Sequence, residues 1–274
     1  MADQPDLAAL LAAYDDQLRD EAETPGASEV VTLGPLRLAT YGDVRGFVTY
    51  RDLAGADAAT IQGWVGEVLE HYRSKGSVDE VEWKTRGHDR APGLHAALVA
   101  HGFEPGEPES IMIGEARLLD VEVPLPAGVT LRQVTSEPDV RAMSAMQDEA
   151  FGDPTSTRMA DELLARLSRG SGGLGGTSPE RMQLWVAEAE GRIVSAGRLE
   201  PVAGTDFAGI WGGATLVGWR GRGIYRALTA ARAHSALALG KTLVNSDSTE
   251  YSRPILERSG LVKVSTTTPY EWHR

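Results

Sequence analysis

The sequence predicts an α/β (α+β) protein that is built from two tandem mixed-sheet domains, over residues 1–120 and 121–274. Strand-like and helix-like hydrophobic patterns alternate along the chain, which is typical of mixed-sheet domains. A glycine-rich turn near residue 221 joins a strand pattern to a long helix pattern. Both halves end alike, because a short helix stops at Gly102 or at Gly260 and the chain then re-enters a strand.

The first half is predicted to contain a helix, a three-stranded meander, a long helix and a strand–helix–strand ending. In the long helix, apolar residues recur at helical spacing from Ile61 to Tyr72. Asp57 is suited to cap the start of this helix and Gly76 its end. The predicted bounds are helix 6–22, strands 29–33, 36–41 and 46–50, helix 58–74, strand 79–85, helix 92–101 and strand 110–116.

The second half follows a proline-containing connection over 118–128. Ser136 and Asp139 form a capping-box-like start for its first helix. Gly191 indicates a hairpin turn, and the glycine-rich run 170–176 is interpreted as a loop, either a lid over a site or a plain connection. The predicted bounds are strand 129–134, helices 136–146 and 159–169, strands 183–188, 192–200 and 207–217, a helix to 239, strand 241–246, helix 252–259 and strand 260–268.

The composition is that of a globular protein, with 42% hydrophobic and 24% charged residues. No apolar run reaches 18 residues, so we expect no membrane span. The N-terminus lacks a basic stretch followed by an apolar one, so we expect no secretory signal. Cysteine is absent, which excludes disulfides and thiolate catalysis and fits a cytoplasmic protein.

The formal net charge of −12 argues against nucleic acid as the main partner, because backbone binding needs a basic surface. Electrostatic steering by this charge would favour a cationic substrate such as an amine, although an acidic surface alone explains the charge more simply. The six histidines show no metal-ligand spacing. We therefore predict no metal.

The most informative stretch runs from Thr215 to Leu228, where a strand pattern enters a glycine-rich turn and then a helix. Free backbone N–H groups at a helix start, together with the helix dipole, bind phosphate groups. Gly221 and Gly223 let the backbone approach such a group closely, because neither has a Cβ. An ordinary β–α turn with solvated arginines is the alternative.

The segment Arg220–Tyr225 resembles the R/Q-x-x-G-x-G/A motif of the GNAT superfamily of N-acetyltransferases, whose loop holds the pyrophosphate of acetyl-coenzyme A. Tyr225 stands where the family usually has glycine or alanine, so its ring either crowds the pyrophosphate or lines the pocket. The segment 245–261 resembles the family's second motif. The resemblance covers roughly 121–274, and the tandem layout is similar to that of mycothiol synthase-like proteins.

The first half is predicted to be a degenerate GNAT-like domain without a coenzyme site. The turn before its long helix, Arg51–Asp57, lacks the R-x-x-G-x-G pattern. Asp52 and Asp57 place negative charge where a pyrophosphate would have to bind, which is the wrong sign. We expect this half to pack against the second half and to shape one wall of the substrate cleft.

The resemblance implies an N-acetyltransferase that uses acetyl-coenzyme A to acetylate an amine of a small molecule. In the family the strand before the loop separates from its neighbour and pairs with pantetheine, the loop binds pyrophosphate, and the second motif adds further contacts. The implied coenzyme-binding residues are Ala214, Thr215, Leu216, Val217, Arg220, Gly221, Arg222, Gly223, Ile224, Tyr225, Arg226, Asn245 and Ser252.

Amine acetylation needs a base that takes a proton from the ammonium. Glu200 is the first candidate, because it ends a strand near the expected cleft. Asp206 and Glu188 are alternatives, and a water chain would make any single carboxylate dispensable. Glu200 is equally well explained as an exposed carboxylate at a strand end.

The reaction also needs an acid for the leaving thiolate. The family often has a tyrosine at the position of Leu256, so its usual acid is missing here. Tyr251 is the candidate acid, with Ser252 and Tyr225 as further options. Packing of Tyr251 on the core is the alternative interpretation.

Two other functions fit the same sequence. An acyl-coenzyme A-binding sensor or scaffold without turnover would also need the loop, and the departures at Tyr225 and Leu256 favour it. Acetylation of a protein N-terminus or lysine is a third possibility. The acceptor and the oligomeric state remain open at this point.

Overall fold

The computed structural model describes residues 6–169 and 181–274, so the predicted glycine-rich loop lies outside the described residues. The chain divides into two compact units. The first contains Met1–Ile111, Asp247–Tyr251 and Lys263–Arg274, and the second contains Met112–Ser246 and Ser252–Val262. In the domain division that the sequence predicts, Lys263–Arg274 belongs to the second domain. The division of the chain at residue 120 stays a prediction.

In the first unit, strands run in the order β1–β2–β3–β4–β12, and only the β3–β4 pair is parallel. The last strand joins this unit because it pairs with β4 from Thr267↔Arg86 to His273↔Glu80. The elements are α1 Leu7–Leu18, β1 Glu29–Leu33, β2 Leu36–Tyr41, β3 Arg45–Thr49, α2 Ala58–Lys75, β4 Glu80–Arg86, α3 Leu94–Ala100, β5 Glu104–Pro105, β6 Glu109–Glu115, which runs into the second unit, and β12 Val262–His273.

The long helix α2 has the predicted ends and the predicted buried face. Asp57 accepts a hydrogen bond from the backbone N–H of Thr60, and Gly76 closes the helix in the left-handed conformation. Its apolar stripe, from Ile61 to Tyr72, is buried against the core of the first unit. The local signals of this segment were therefore sufficient to predict it.

A buried cluster of charges lies in the first unit where β3 ends. Arg86, which is 4% exposed, donates a hydrogen bond to the hydroxyl of Thr49 and forms an ion pair with Glu23. Lys84 pairs with Glu23 at 3.5 Å and with Asp247 at 2.8 Å. These side chains occupy the end of the parallel β3–β4 pair, whose register stops at Val48↔Trp83.

In the second unit, strands run in the order β7–β8–β9–β10–β11, and only the β10–β11 pair is parallel. The predicted strand 207–217 is too long at its end, because β10 stops at Thr215 and Val217–Trp219 form a 3-10 turn. The elements are α4 Ala116–Leu119, β7 Val129–Gln133, α5 Glu137–Phe151, α6 Arg158–Arg169, β8 Gln183–Ala189, β9 Arg192–Pro201, β10 Phe207–Thr215, α7 Ile224–Ala238, β11 Leu243–Ser248 and α8 Arg253–Ser259.

The predicted capping box at α5 is only half present. Ser136 accepts a hydrogen bond from the backbone N–H of Asp139, as expected. The Asp139 carboxylate instead binds both terminal nitrogens of Arg132, at 2.9 Å each. These hydrogen bonds lower the pKa of Asp139, because a bidentate guanidinium contact stabilises the ionised form.

Among the helices of the described ranges, none combines the length and the apolar composition needed to cross a membrane.

Candidate active site

The strands β10 and β11 of the second unit separate after three residue pairs. Their parallel register runs from Phe207↔Leu243 to Gly209↔Asn245, and β10 continues to Thr215 without a further pair to β11. The register of β10 against β9 shifts between Trp211 and Ala214, which is a β-bulge. Beyond Gly209, β10 makes no further ladder pair with β11, although the hydroxyl of Ser246 donates to the carbonyl of Ile210 at 2.9 Å.

A glutamine side chain from α5 holds this bulge. Gln147 donates from Nε2 to the carbonyl oxygen of Gly212 at 2.7 Å, and Gly212 has a φ of 60°. A Cβ at Gly212 would lie 3.1 Å from Nε2 of Gln147 and 3.1 Å from Nη1 of Arg198. The bulge therefore depends on a glycine at position 212 and brings these two side chains together.

The glycine turn leads directly into α7. Gly221 and Gly223 have φ values of 74° and 81°, which is the left-handed region that favours glycine. Gly223 is the N-cap residue, and no side chain caps the helix there. A Cβ at Gly223 would fit without a clash, because the nearest atoms, from Val123 and Pro124, would be 3.9 Å away, in ordinary van der Waals contact. The first backbone N–H groups of α7 are available to an anion.

The three arginines of the turn have different roles. Arg220 donates from Nε to the carbonyl of Thr215 at 2.9 Å and from Nη2 to that of Ala150 at 2.8 Å, so it fixes the turn. The guanidinium of Arg222 lies over the ring of Trp219, 4.9 Å from its centroid. Arg226 is exposed.

The corresponding helix start in the first unit is blocked by its own carboxylates. Asp57 occupies the backbone N–H of Thr60 at 2.9 Å, and Asp52 occupies that of Ala54 at 2.7 Å. These hydrogen bonds take up donors that an anion would need. The contacts support the expectation that this half has no coenzyme site, which stays a prediction.

The ring of Tyr225 packs on the bulge in β10. A Cβ at Gly213 would lie 2.6 Å from Cε2 and 2.8 Å from the hydroxyl oxygen of Tyr225. Because glycine at position 213 leaves this space, the phenol lies beside the part of β10 that makes no ladder pair with β11. Of the two interpretations of Tyr225, the one in which its ring lines the pocket fits this placement.

Behind Tyr225 lies an arginine without an acidic partner. Arg232 is 1% exposed and donates to the carbonyls of Leu228 and Arg198 and to the hydroxyl of Thr229. In the described part of the chain no carboxylate lies within 4 Å of it. Burial lowers the pKa of Arg232, and the neighbouring Tyr225 side chain opposes that shift.

The candidate bases are already engaged. Glu200 lies opposite Gly209 in β10, and its two oxygens contact Nη2 of Arg166 at 2.6 Å and Nε of Arg198 at 3.1 Å. Glu188 pairs with Arg132 at 2.8 Å. Accepting a proton would cost either residue an ion pair. The role of Glu200 stays a prediction.

The second motif contributes one unpaired hydrogen-bond acceptor, and a buried leucine stands where the family usually has its acid. Asn245, 5% exposed, has no hydrogen-bond partner for Oδ1 among the described residues. Leu256 is 1% exposed in the core, as expected of an apolar side chain. Tyr251 is 83% exposed and belongs to a segment of the first unit, so the interpretation that it packs on the core is wrong.

Sequence reasoning missed several residues of this site, namely Gln147, Arg198, Trp211 and Arg232. None carries a local motif; Gln147, Arg198 and Arg232 each contact a distant segment, and the ring of Trp211 lies over Gly209 of its own strand. Glycines inside β9 and β10 were the available signal, because such glycines often mark the close approach of another group. A Cβ at Gly197, for example, would lie 2.5 Å from Nη1 of Arg232.

No cluster of three histidine, aspartate or glutamate side chains that could hold a metal ion occurs within the described ranges.

Several solved structures, most of them GNAT proteins, are similar to this chain in fold. A GCN5-related N-acetyltransferase from Kribbella flavida is 20% identical, with 97% of this chain and 93% of that chain covered and a TM-score of 0.64. A tandem GNAT protein from the clavulanic acid biosynthesis pathway is 16% identical, with 97% and 95% covered and a TM-score of 0.61. A functionally unknown conserved protein from Staphylococcus epidermidis is 13% identical, with 95% and 97% covered and a TM-score of 0.66.

These likenesses confirm the predicted fold class and the resemblance to tandem GNAT proteins at the level of the fold. No family model matches the sequence, and no curated protein matches it.

Proposed function

We propose that this protein transfers the acetyl group of acetyl-coenzyme A to the amine of a small molecule, at the second unit. The observation that carries the proposal is the separation of β10 from β11 beside an uncapped helix start. The separation offers backbone groups to an extended chain such as pantetheine, and the helix start offers N–H groups to a pyrophosphate. The GNAT proteins of the same fold support this choice.

The coenzyme would lie along the residues that the motif indicates. Ala214 and Thr215 remain in extended β10, whereas Leu216 and Val217 lead into the 3-10 turn. Ala214 and Thr215 are therefore the better placed of the four to meet pantetheine. The turn from Gly221 through the start of α7 would hold the pyrophosphate, and the free Oδ1 of Asn245 would accept a donor from the coenzyme.

The reaction needs three proton movements besides the attack of the amine nitrogen on the acetyl carbon. The ammonium loses one proton to a base, either Glu200 or water, and the nitrogen loses a second proton to water after the C–N bond has formed. The sulfur released from the broken C–S bond gains a proton. We infer that Tyr225 donates this proton and is then reprotonated from water.

Tyr225→Phe is expected to lower kcat by about 100-fold or more, since a general acid contributes roughly that factor. The Michaelis constant for acetyl-coenzyme A should change little, because the ring still packs on Gly213. Steady-state kinetics measures both. Tyr251→Phe is the matched control and should leave kcat near that of the wild type. The reverse pattern, with loss only in Tyr251→Phe, would assign the acid to Tyr251.

Release of coenzyme A thiol tests the activity directly. The chain has no cysteine, so a thiol-reactive dye reports only the released coenzyme. Amine-dependent thiol release supports the proposal. Tight binding of acetyl-coenzyme A with no thiol release across a broad amine panel would favour the sensor or scaffold instead. A cytoplasmic location stays a prediction that rests on the absence of cysteine.

A further inference from the structure

The bulge in β10 has a second side, opposite α7, that the coenzyme proposal leaves unused. Gly197 of β9 lies against Arg232 of α7. Successive residues of a strand point to opposite faces, so Arg198 points away from α7. There its Nη1 lies beside Gly212 of the bulge, next to the amide of Gln147.

The side of the bulge opposite α7 contains a buried hydrogen-bond acceptor that receives no hydrogen bond from the described residues. Gln147 is 6% exposed, and its Oε1 has no hydrogen-bond partner in the described ranges. The bond from Nε2 to the carbonyl of Gly212 fixes which end of the amide is oxygen, because two oxygens would repel each other there. Buried polar atoms usually have a hydrogen-bond partner in the protein or in ordered water. An amine or ammonium N–H would satisfy Oε1.

The same side carries excess positive charge. Glu200 uses one oxygen for Arg166 and the other for Nε of Arg198, so two guanidinium groups share one carboxylate. The Arg198 side chain is 17% exposed. Within the described residues, its Nη1 and Nη2 donate no hydrogen bond. Two parallel N–H groups of a guanidinium match the geometry of a carboxylate.

An apolar wall adjoins these polar groups. The ring of Trp211 folds over Gly209, where a Cβ would lie 2.3 Å from its Nε1. Gly209 is the residue opposite Glu200 in the sheet. The partly exposed ring offers a surface for the side chain of a bound molecule.

We propose that the acceptor is an amine that also carries a carboxylate, an amino-acid-like molecule whose acid group binds Arg198 and whose amine meets Oε1 of Gln147. The inference rests on the proposed function and narrows its substrate class. This substrate class differs from the cationic substrate that the net charge of −12 favours, because the charge at this site has a local positive excess. A bidentate contact at one end and an amide oxygen at the other would orient the amine beside the bulge.

Calorimetric binding of matched pairs tests the proposal without acetyl transfer. The probes are leucine with leucinamide, phenylalanine with phenylalaninamide, and 4-aminobutyrate with 4-aminobutyramide, so that each pair differs only in the acid group. In the wild type, at least one acid is expected to bind about 10-fold or more tightly than its amide. Arg198→Gln should abolish that preference and leave amide binding unchanged, while Arg198→Lys retains part of it.

Arg141→Gln is the matched control, because Arg141 is an exposed arginine of α5 that pairs with Glu137 and Asp161. It should keep the wild-type preference. Equal binding of acids and amides, a preference that survives Arg198→Gln, or no binding of any acid at millimolar concentration would overturn the proposal. Acetyl-coenzyme A is titrated in parallel. If it binds while the acids do not, the acceptor class is wrong; if it does not bind either, the proposed function itself fails.

Discussion

Replacing Gly223 with aspartate is expected to weaken acetyl-coenzyme A binding by about 1,000-fold, whereas asparagine at the same position should be far milder. Both side chains tolerate the left-handed conformation that Gly223 adopts at a φ of 81°, and they have nearly the same shape. They differ in charge. A carboxylate about 4 Å from a pyrophosphate oxygen costs about 4 kcal/mol at an effective dielectric constant of about 20, which corresponds to that factor.

The aspartate variant should fold at least as well as the asparagine variant. A negative charge at the start of α7 interacts favourably with the helix dipole, and no side chain caps that start in the wild type. Loss of binding together with unchanged or raised thermal stability would therefore locate the coenzyme at this turn. If the two variants bound acetyl-coenzyme A equally, the pyrophosphate would have to lie elsewhere.

Glu23→Gln is expected to lower the free energy of unfolding by about 3–5 kcal/mol, since it breaks a buried ion pair by removing one partner. Arg86 would keep its buried charge without the carboxylate that neutralises it. Urea denaturation measures the loss. Glu29→Gln is the control, because Glu29 pairs with Lys75 on the surface, and it should change stability little. A loss no greater than that of the control would refute this account of the cluster.

The loss of unfolding free energy in Glu23→Gln should depend on pH. Burial alone would raise the pKa of Glu23, but the charges of Arg86 and Lys84 outweigh burial and hold that pKa below its usual range. A lowered pKa stabilises the fold above the pKa of an unfolded glutamate, about 4.3, and the contribution disappears as pH falls through the folded value. The difference between wild type and Glu23→Gln should therefore be full at neutral pH and shrink in acid.

The secondary structure was largely predictable because its signals are local. The bounds of β1 and β2 match the prediction, and Asp57 and Gly76 mark the ends of α2 as expected. Predictions that depended on distant partners were less secure. Asp139 follows the capping pattern, but its carboxylate binds Arg132, which the spacing within the helix does not reveal.

Only the part of the candidate site that is formed by the glycine turn could be predicted from the sequence. Gly221 and Gly223 mark the turn because their conformation requires glycine, and Tyr225 was recognised as a departure from the motif. The contacts of Gln147 with Gly212 and of Arg232 with the strand β9 join segments that lie far apart in sequence. The properties of Gln147 and Arg232 depend on their burial. The burial of a single arginine or glutamine does not produce a periodic pattern in the sequence.

Calorimetric titration of the wild type with acetyl-coenzyme A tests the central claim most directly, because it measures stoichiometry as well as affinity. We expect one molecule bound per chain, since Asp57 caps the start of the long helix α2 in the first unit, whereas no side chain caps the start of α7 in the second. Binding of two molecules would contradict the assignment of the first half. No binding at all would remove both the acetyltransferase and the sensor, and it would leave a GNAT-like fold with another purpose.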